Sequence, residues 1–156
     1  MANEIKVKNI AVANITISLA GLTSGSARAS ASLDNSVTDY PGAKISLKIT
    51  SGAVAPTAGA LYEMYLLRHN GTMGTDGWAG TDVAITIENA PIIGTIVVTA
   101  TAAKAFYVEV DTTSAGILGA TWGIAIKNAS GQTLSTTEGD HLKTVEYYVP
   151  EIQSTV

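Results

Sequence analysis

Apolar and polar residues alternate with a period of two along most of this chain, the pattern of strands with one face buried. In KISLKIT, Ile45, Leu47 and Ile49 point one way and Lys44, Ser46 and Lys48 the other. AFYVEVD repeats the pattern with Phe106, Val108 and Val110 inward, and VAITIE does so with Val83, Ile85 and Ile87. TWGIAIK sets Trp122, Ile124 and Ile126 on one face, and TVEYYV sets Val145, Tyr147 and Val149 together. Near the start, Ile5 and Val7 alternate with lysines, and Ile15, Ile17 and Leu19 alternate with Thr16 and Ser18. Ile10 and Val12 are out of phase with Ile15, which predicts a bulge or corner near Ala13 and Asn14. RASASLD reads as a weak strand. IIGTIVVTAT, apolar almost throughout, reads as a central strand covered on both faces. ALYEMYLLRHN lies between turn signals and is read as one long strand, although Leu61, Tyr62, Tyr65 and Leu66 would also share a helical face.

Gly- and Asn-rich breaks separate these runs: LTSGS, DNSVTDYPG, TSGAVAPTAG, NGTMGTDGWAGTD and NASGQ. Short strands at such spacing predict an all-β fold, a two-sheet antiparallel sandwich of about 8–10 strands. The jelly roll fits the length better than an immunoglobulin-like sandwich, which takes about 100 residues and often a Cys–Trp–Cys pattern. The 156 residues make a single β-sandwich domain, 1–156, large enough for a core of its own. Residues 1–12 are read either as its first strand or as an N-terminal arm that adds a strand to a neighbour's sheet.

Composition changes this picture in one respect. Ala, Gly, Ser and Thr fill 70 of 156 positions, while charged residues make up only 14%. Ordinary domains carry about 25% charge and rely on it to stay apart in solution. A small, neutral surface suits a protein packed against neighbours. Net charge −4 with two arginines argues against a nucleic-acid partner. No run is long and apolar enough for a membrane span, and MANEIKVKN has no signal-peptide pattern. Without cysteine there is no disulfide scaffold, thiolate zinc site or cysteine nucleophile.

Catalytic motifs are missing. GxSxG, GxxxxGK[ST], HExxH and DxDxDG do not occur. Gly71, Gly74, Gly77 and Gly80 recur at every third position, but no strand–loop–helix context or nearby lysine supports a phosphate cradle, so the segment reads as a surface loop. Glu138, Asp140 and His141 carry ligand types at close spacing, yet one loop seldom supplies a whole coordination shell. A polar turn is the expectation, with no metal and no cofactor. Glu63 and Glu109 read as outward positions of their strands. The sequons at Asn14, Asn70 and Asn128 carry no weight without a secretion signal.

Several segments in order resemble the small virion structural or head-decoration proteins of tailed bacteriophages. They are ASASLDNSVTDY, KISLKITSGAVAPTAGALYEMYLLRHNG and WGIAIKNASGQTLSTTEGDHLKTVEYYVPEIQ. The resemblance runs from about Ala29 to Gln153 and is most specific in the closing stretch. It implies a non-enzymatic β-sandwich protein, made in the host cytoplasm and bound to the outside of a capsid. Its partners would be the major capsid protein and copies of itself, as a homotrimer that stabilises the shell by bridging capsomers. The alternative is a carbohydrate- or receptor-binding module of a head fibre or tail component, with Trp78, Tyr147 and Tyr148 as stacking platforms. Trp122 alternates cleanly with Ile124 and is read as core. Large apolar side chains are costly to leave in water, so Met73 and Trp78, alone in a glycine-rich loop, are read with Tyr147 and Tyr148 as partner contacts.

Overall fold

The computed structural model describes residues 4–153, and they form two antiparallel sheets packed face to face. The first sheet takes β1 (Glu4–Asn14), β10 (Leu142–Gln153), β4 (Gly42–Thr50) and β8 (Ala105–Asp111), in that order. The second is ordered β6 (Val83–Ile85), β2 (Ala27–Ala29), β9 (Thr121–Ala129), β5 (Leu61–His69) and β7 (Ile92–Val97). The two-residue β3 (Leu33–Asp34) pairs with the start of β9, in line with β2. RASASLD is thus one strand broken at Ser30, whose hydroxyl accepts the Ile124 N–H at 3.1 Å.

With β3 and β6 set aside, the pairing nests. The first strand pairs with the last (β1–β10), and then β2 with β9, β4 with β8 and β5 with β7. A long antiparallel ribbon rolled onto itself gives this order, which agrees with a jelly roll. It differs from the immunoglobulin alternative, whose first strand pairs within an ABED sheet.

The core lies between the sheets, where the period-two residues meet. Ile45, Leu47 and Ile49 from β4 face Tyr62, Met64 and Leu66 from β5 and Trp122, Ile124 and Ile126 from β9, all buried. Each large apolar side chain sealed there contributes about 1.5–3 kcal/mol. β9 is the central, doubly covered strand: Gly123 and Ala125 on its far face are buried too. β7 is not. It is an edge strand, with Ile92 and Val97 exposed and Gly94 set against Val110. An unbroken apolar run reports hydrophobicity, and lateral position depends on pairings that the run itself does not encode.

The bulge falls between Asn9 and Val12, opposite Tyr147, and the corner follows at Asn14, where the Ile15 N–H donates to the Lys143 carbonyl. Most of the candidate arm is a strand of its own sheet, since Glu4–Asn14 pair with β10; residues 1–3 lie outside the described residues. β4 meets β10 only as far as the Gly42–Tyr148 pair. Beyond it, β1 and β10 run on through five more pairs, Lys8–Val149 to Glu4–Gln153, as a two-stranded ribbon. Among the described residues no helix is long and apolar enough to cross a membrane.

Candidate functional site

The strand directions sort the loops to two ends, named here for the ends of β4. Loops 35–41, 70–82 and 112–120 and the terminal ribbon gather at the Gly42 end. Loops 15–26, 51–60, 98–104 and 130–141 gather at the Thr50 end. Among the described residues four large apolar side chains in loops are exposed, and three of them, Val37, Met73 and Ile117, lie at the Gly42 end with exposures of 90%, 72% and 76%. Only Val54 lies at the other.

These loops are held, though they lack regular structure. Buried Asn35 donates through Nδ2 to the Tyr40 and Gly119 carbonyls at 3.0 and 3.1 Å, and its Oδ1 accepts the Tyr40 N–H. It thereby ties the Val37 loop to the Ile117 loop. Arg68, at the end of β5, donates to the carbonyls of Ala115 (2.6 Å) and Ile117 (2.7 Å), which sets the Ile117 loop against the strand that leads to Met73. Between the Met73 and Ile117 loops runs an open groove of about 770 Å³, lined by Arg68, His69, Gly74, Thr75 and Ala120 among others.

The glycine-rich segment is a packed cover. Trp78 is 1% exposed and sits on the outer face of the second sheet with Ala29, Leu67, Ala90 and Ala125. A Cβ at Gly123 would come within 2.7 Å of its indole ring, so that glycine makes the hole the ring fills. The indole N–H is shared between the carbonyls of Ser30 (3.0 Å) and Thr81 (3.2 Å). Asp76 fixes the far side, accepting the N–H groups of Glu88, Asn89 and Ala90 at 2.8–3.1 Å. Burial alone would raise this carboxyl, but the three donors together hold it below the usual carboxylate range.

No protein-family model, no curated protein and no solved structure matches this chain.

Of the four contact residues expected from sequence, only Met73 is freely exposed. Trp78 is a correction: it docks into its own sandwich and has no surface left to offer a partner or a sugar. Tyr147 and Tyr148 do reach the Gly42 end, but on opposite faces of β10. Half-buried Tyr147 stacks on Tyr40 at 4.6 Å and meets Trp122 edge-on at 5.9 Å. Tyr148 donates its hydroxyl to the Asp111 carboxylate at 3.0 Å. They do not form one stacking platform.

At the Thr50 end the EGDH turn does structural work. Glu138 accepts the N–H groups of Leu19 (2.8 Å) and Ala20 (2.7 Å) and contacts Lys143. His141 is buried, with Nδ1 accepting the Thr50 N–H at 3.3 Å and Nε2 facing the Ser135 carbonyl at 3.2 Å. Its burial pushes the imidazole below its ordinary range. Among the described residues no three His, Asp or Glu side chains converge on a point that would hold a metal ion.

Sequence reasoning passed over Val37 and Ile117. Part of the signal was there: Val37 is the one aliphatic residue in the turn-rich DNSVTDYPG, whereas Ile117 in SAGILGA stands next to Leu118, which is buried, and the sequence does not say which of the two faces out. It also passed over Asn35 and Arg68, whose role depends on carbonyls 84 and 47–49 residues away.

Proposed function

We propose that this is a non-enzymatic structural protein of a virion, bound to the outside of a phage capsid and stabilising it by bridging capsomers. The observation that carries this reading is the Gly42 end: exposed Val37 and Ile117 stand on loops fixed by Asn35 and the Arg68 side chain, and exposed Met73 on a loop held by Asn70 Oδ1 and by Thr75 against the Arg68 backbone. Exposed apolar side chains gain free energy when covered, and loops already ordered lose little entropy on binding. Such a surface binds protein with little reorganisation. The resemblance to head-decoration proteins and the small neutral composition point to an assembly of many copies.

The mechanism is mechanical. A shell under internal pressure fails where capsomers separate, and a protein spanning that seam adds interface that must break first. Repetition over the shell multiplies a modest single contact. Self-association as a trimer belongs to the same reading. Quantifying copies per purified particle and reconstructing the particle tests it: hundreds of copies on the outer shell support it, and absence from the particle, or six or fewer copies on the tail, contradicts it.

A further inference from the structure

We propose that Asn70 is a self-modifying site, which the folded loop converts from amide to acid through a succinimide. The inference does not depend on the capsid reading. Asn70–Gly71 is the one Asn-Gly pair in the chain, and both residues are exposed. A glycine presents no side chain to obstruct attack by its backbone nitrogen on the preceding side-chain carbonyl. Three features of this loop go further. The Gly71 N–H, the nucleophile, donates to His69 Nδ1 at 2.9 Å, so a general base already holds the proton that must leave. Asn70 Oδ1 accepts the N–H groups of Thr72 at 3.0 Å and Met73 at 2.7 Å, two donors facing the oxygen on which negative charge develops. Among the described residues no acceptor holds the Asn70 Nδ2, the nitrogen that departs. His69 is half-buried and edge-on to Trp78 at 6.5 Å, which keeps the base in place.

The reaction balances without any oxidant or reductant. The Gly71 nitrogen bonds to Asn70 Cγ as its proton passes to His69 Nδ1. His69 returns that proton to Nδ2, the Cγ–Nδ2 bond breaks and ammonia leaves. Water then adds to either carbonyl of the five-membered ring, giving aspartate or isoaspartate. The isoaspartyl product lengthens the main chain by one methylene inside a turn now closed by the Asn70 N–H and the Met73 carbonyl at 3.2 Å. A new negative charge and a displaced Met73 beside the groove follow.

Three other asparagines, Asn35, Asn89 and Asn128, are controls. Asn35 and Asn128 are buried and each donates twice through Nδ2, which holds the leaving group. Asn89 shares the tryptic peptide 69–104 with Asn70. The test is to age the full-length protein at neutral pH, native and in urea, and follow that peptide by mass spectrometry with enzymatic isoaspartate detection. Asn70 should convert about tenfold or more faster in the native protein than in urea, with Asn89, Asn35 and Asn128 unchanged. His69→Gln, checked for folding by circular dichroism, should slow the native reaction about tenfold or more. An amide that survives in the native protein while the urea-unfolded chain converts would overturn the proposal, as would a His69→Gln protein that converts at the parent rate. The native-against-urea comparison decides the matter even if that variant does not fold.

Discussion

The two ends of the sandwich are built from similar residues, Ser, Thr, Gly, Asn and a few acids, and put them to opposite uses. At the Thr50 end polar side chains turn inward. Asn128 donates to the carbonyls of Leu22 (2.8 Å) and Gln132 (2.7 Å) and accepts from Ser130, while His141 accepts the Thr50 N–H and Glu138 those of Leu19 and Ala20. At the Gly42 end, Asn35, Arg68 and Asp76 also satisfy backbone groups, but the apolar side chains between them face out. Loop order is therefore common to both ends, while exposed apolar surface on ordered loops is concentrated at one, with Val54 alone at the other. The proposed docking surface rests on that difference, more than on loop length or glycine content.

The largest effect should come from the residue that the sequence assigns to a partner. Trp78→Ala removes a buried ring from the cover over β9 and should cost about 3–5 kcal/mol, read as a shifted urea midpoint. If the midpoint stays put, the cover is not part of the fold. Asn128→Ala comes next. Stranding the Leu22 and Gln132 carbonyls at the Thr50 end should cost about 1–3 kcal/mol and leave particle binding per folded molecule unchanged.

Acid should weaken the whole fold in two stages. Burial lowers the His141 pKa, so the unfolded chain takes up this proton first. Its contribution is complete above the ordinary histidine value of 6.5 and is lost as pH falls below it. Asp76, Asp82, Asp111 and Glu138 are also held low, so their contributions are present above the ordinary carboxylate values and are lost as pH falls through the acid range below about 4. Melting temperature against pH should therefore bend near 6.5 and again below about 4. His141→Gln should remove the upper bend, and a bend that persists in that variant would reassign it.

Much of the fold was legible. Strict alternation in KISLKIT, AFYVEVD and TWGIAIK carries its own meaning, because a strand with one buried face has to repeat every two residues. What failed were the features set by distant partners. The hole that receives Trp78 belongs to Gly123, 45 positions on. A glycine between Trp122 and Ile124 in a core strand was the available clue, since something must fill the space it leaves. The edge position of IIGTIVV follows from its pairing with β5 alone, which its composition does not express. At the candidate surface, Met73 was readable as an apolar residue among turn formers and the same rule would have found Val37, but it also picked Trp78, which is buried, and does not separate Ile117 from its buried neighbour Leu118.

The most direct measurement is co-sedimentation with virion shells, comparing the parent protein, the Val37→Ser, Met73→Ser, Ile117→Ser triple variant and Val54→Ser. Exposed positions tolerate serine with stability changes within about 0.5 kcal/mol, so all should fold alike. Burying even part of three large apolar side chains is worth several kcal/mol, at about 1.4 kcal/mol per factor of ten. The triple variant should lose about a hundredfold or more in affinity, with Val54→Ser binding as the parent does. A triple variant that binds like the parent would show that the Gly42 end is not the docking surface.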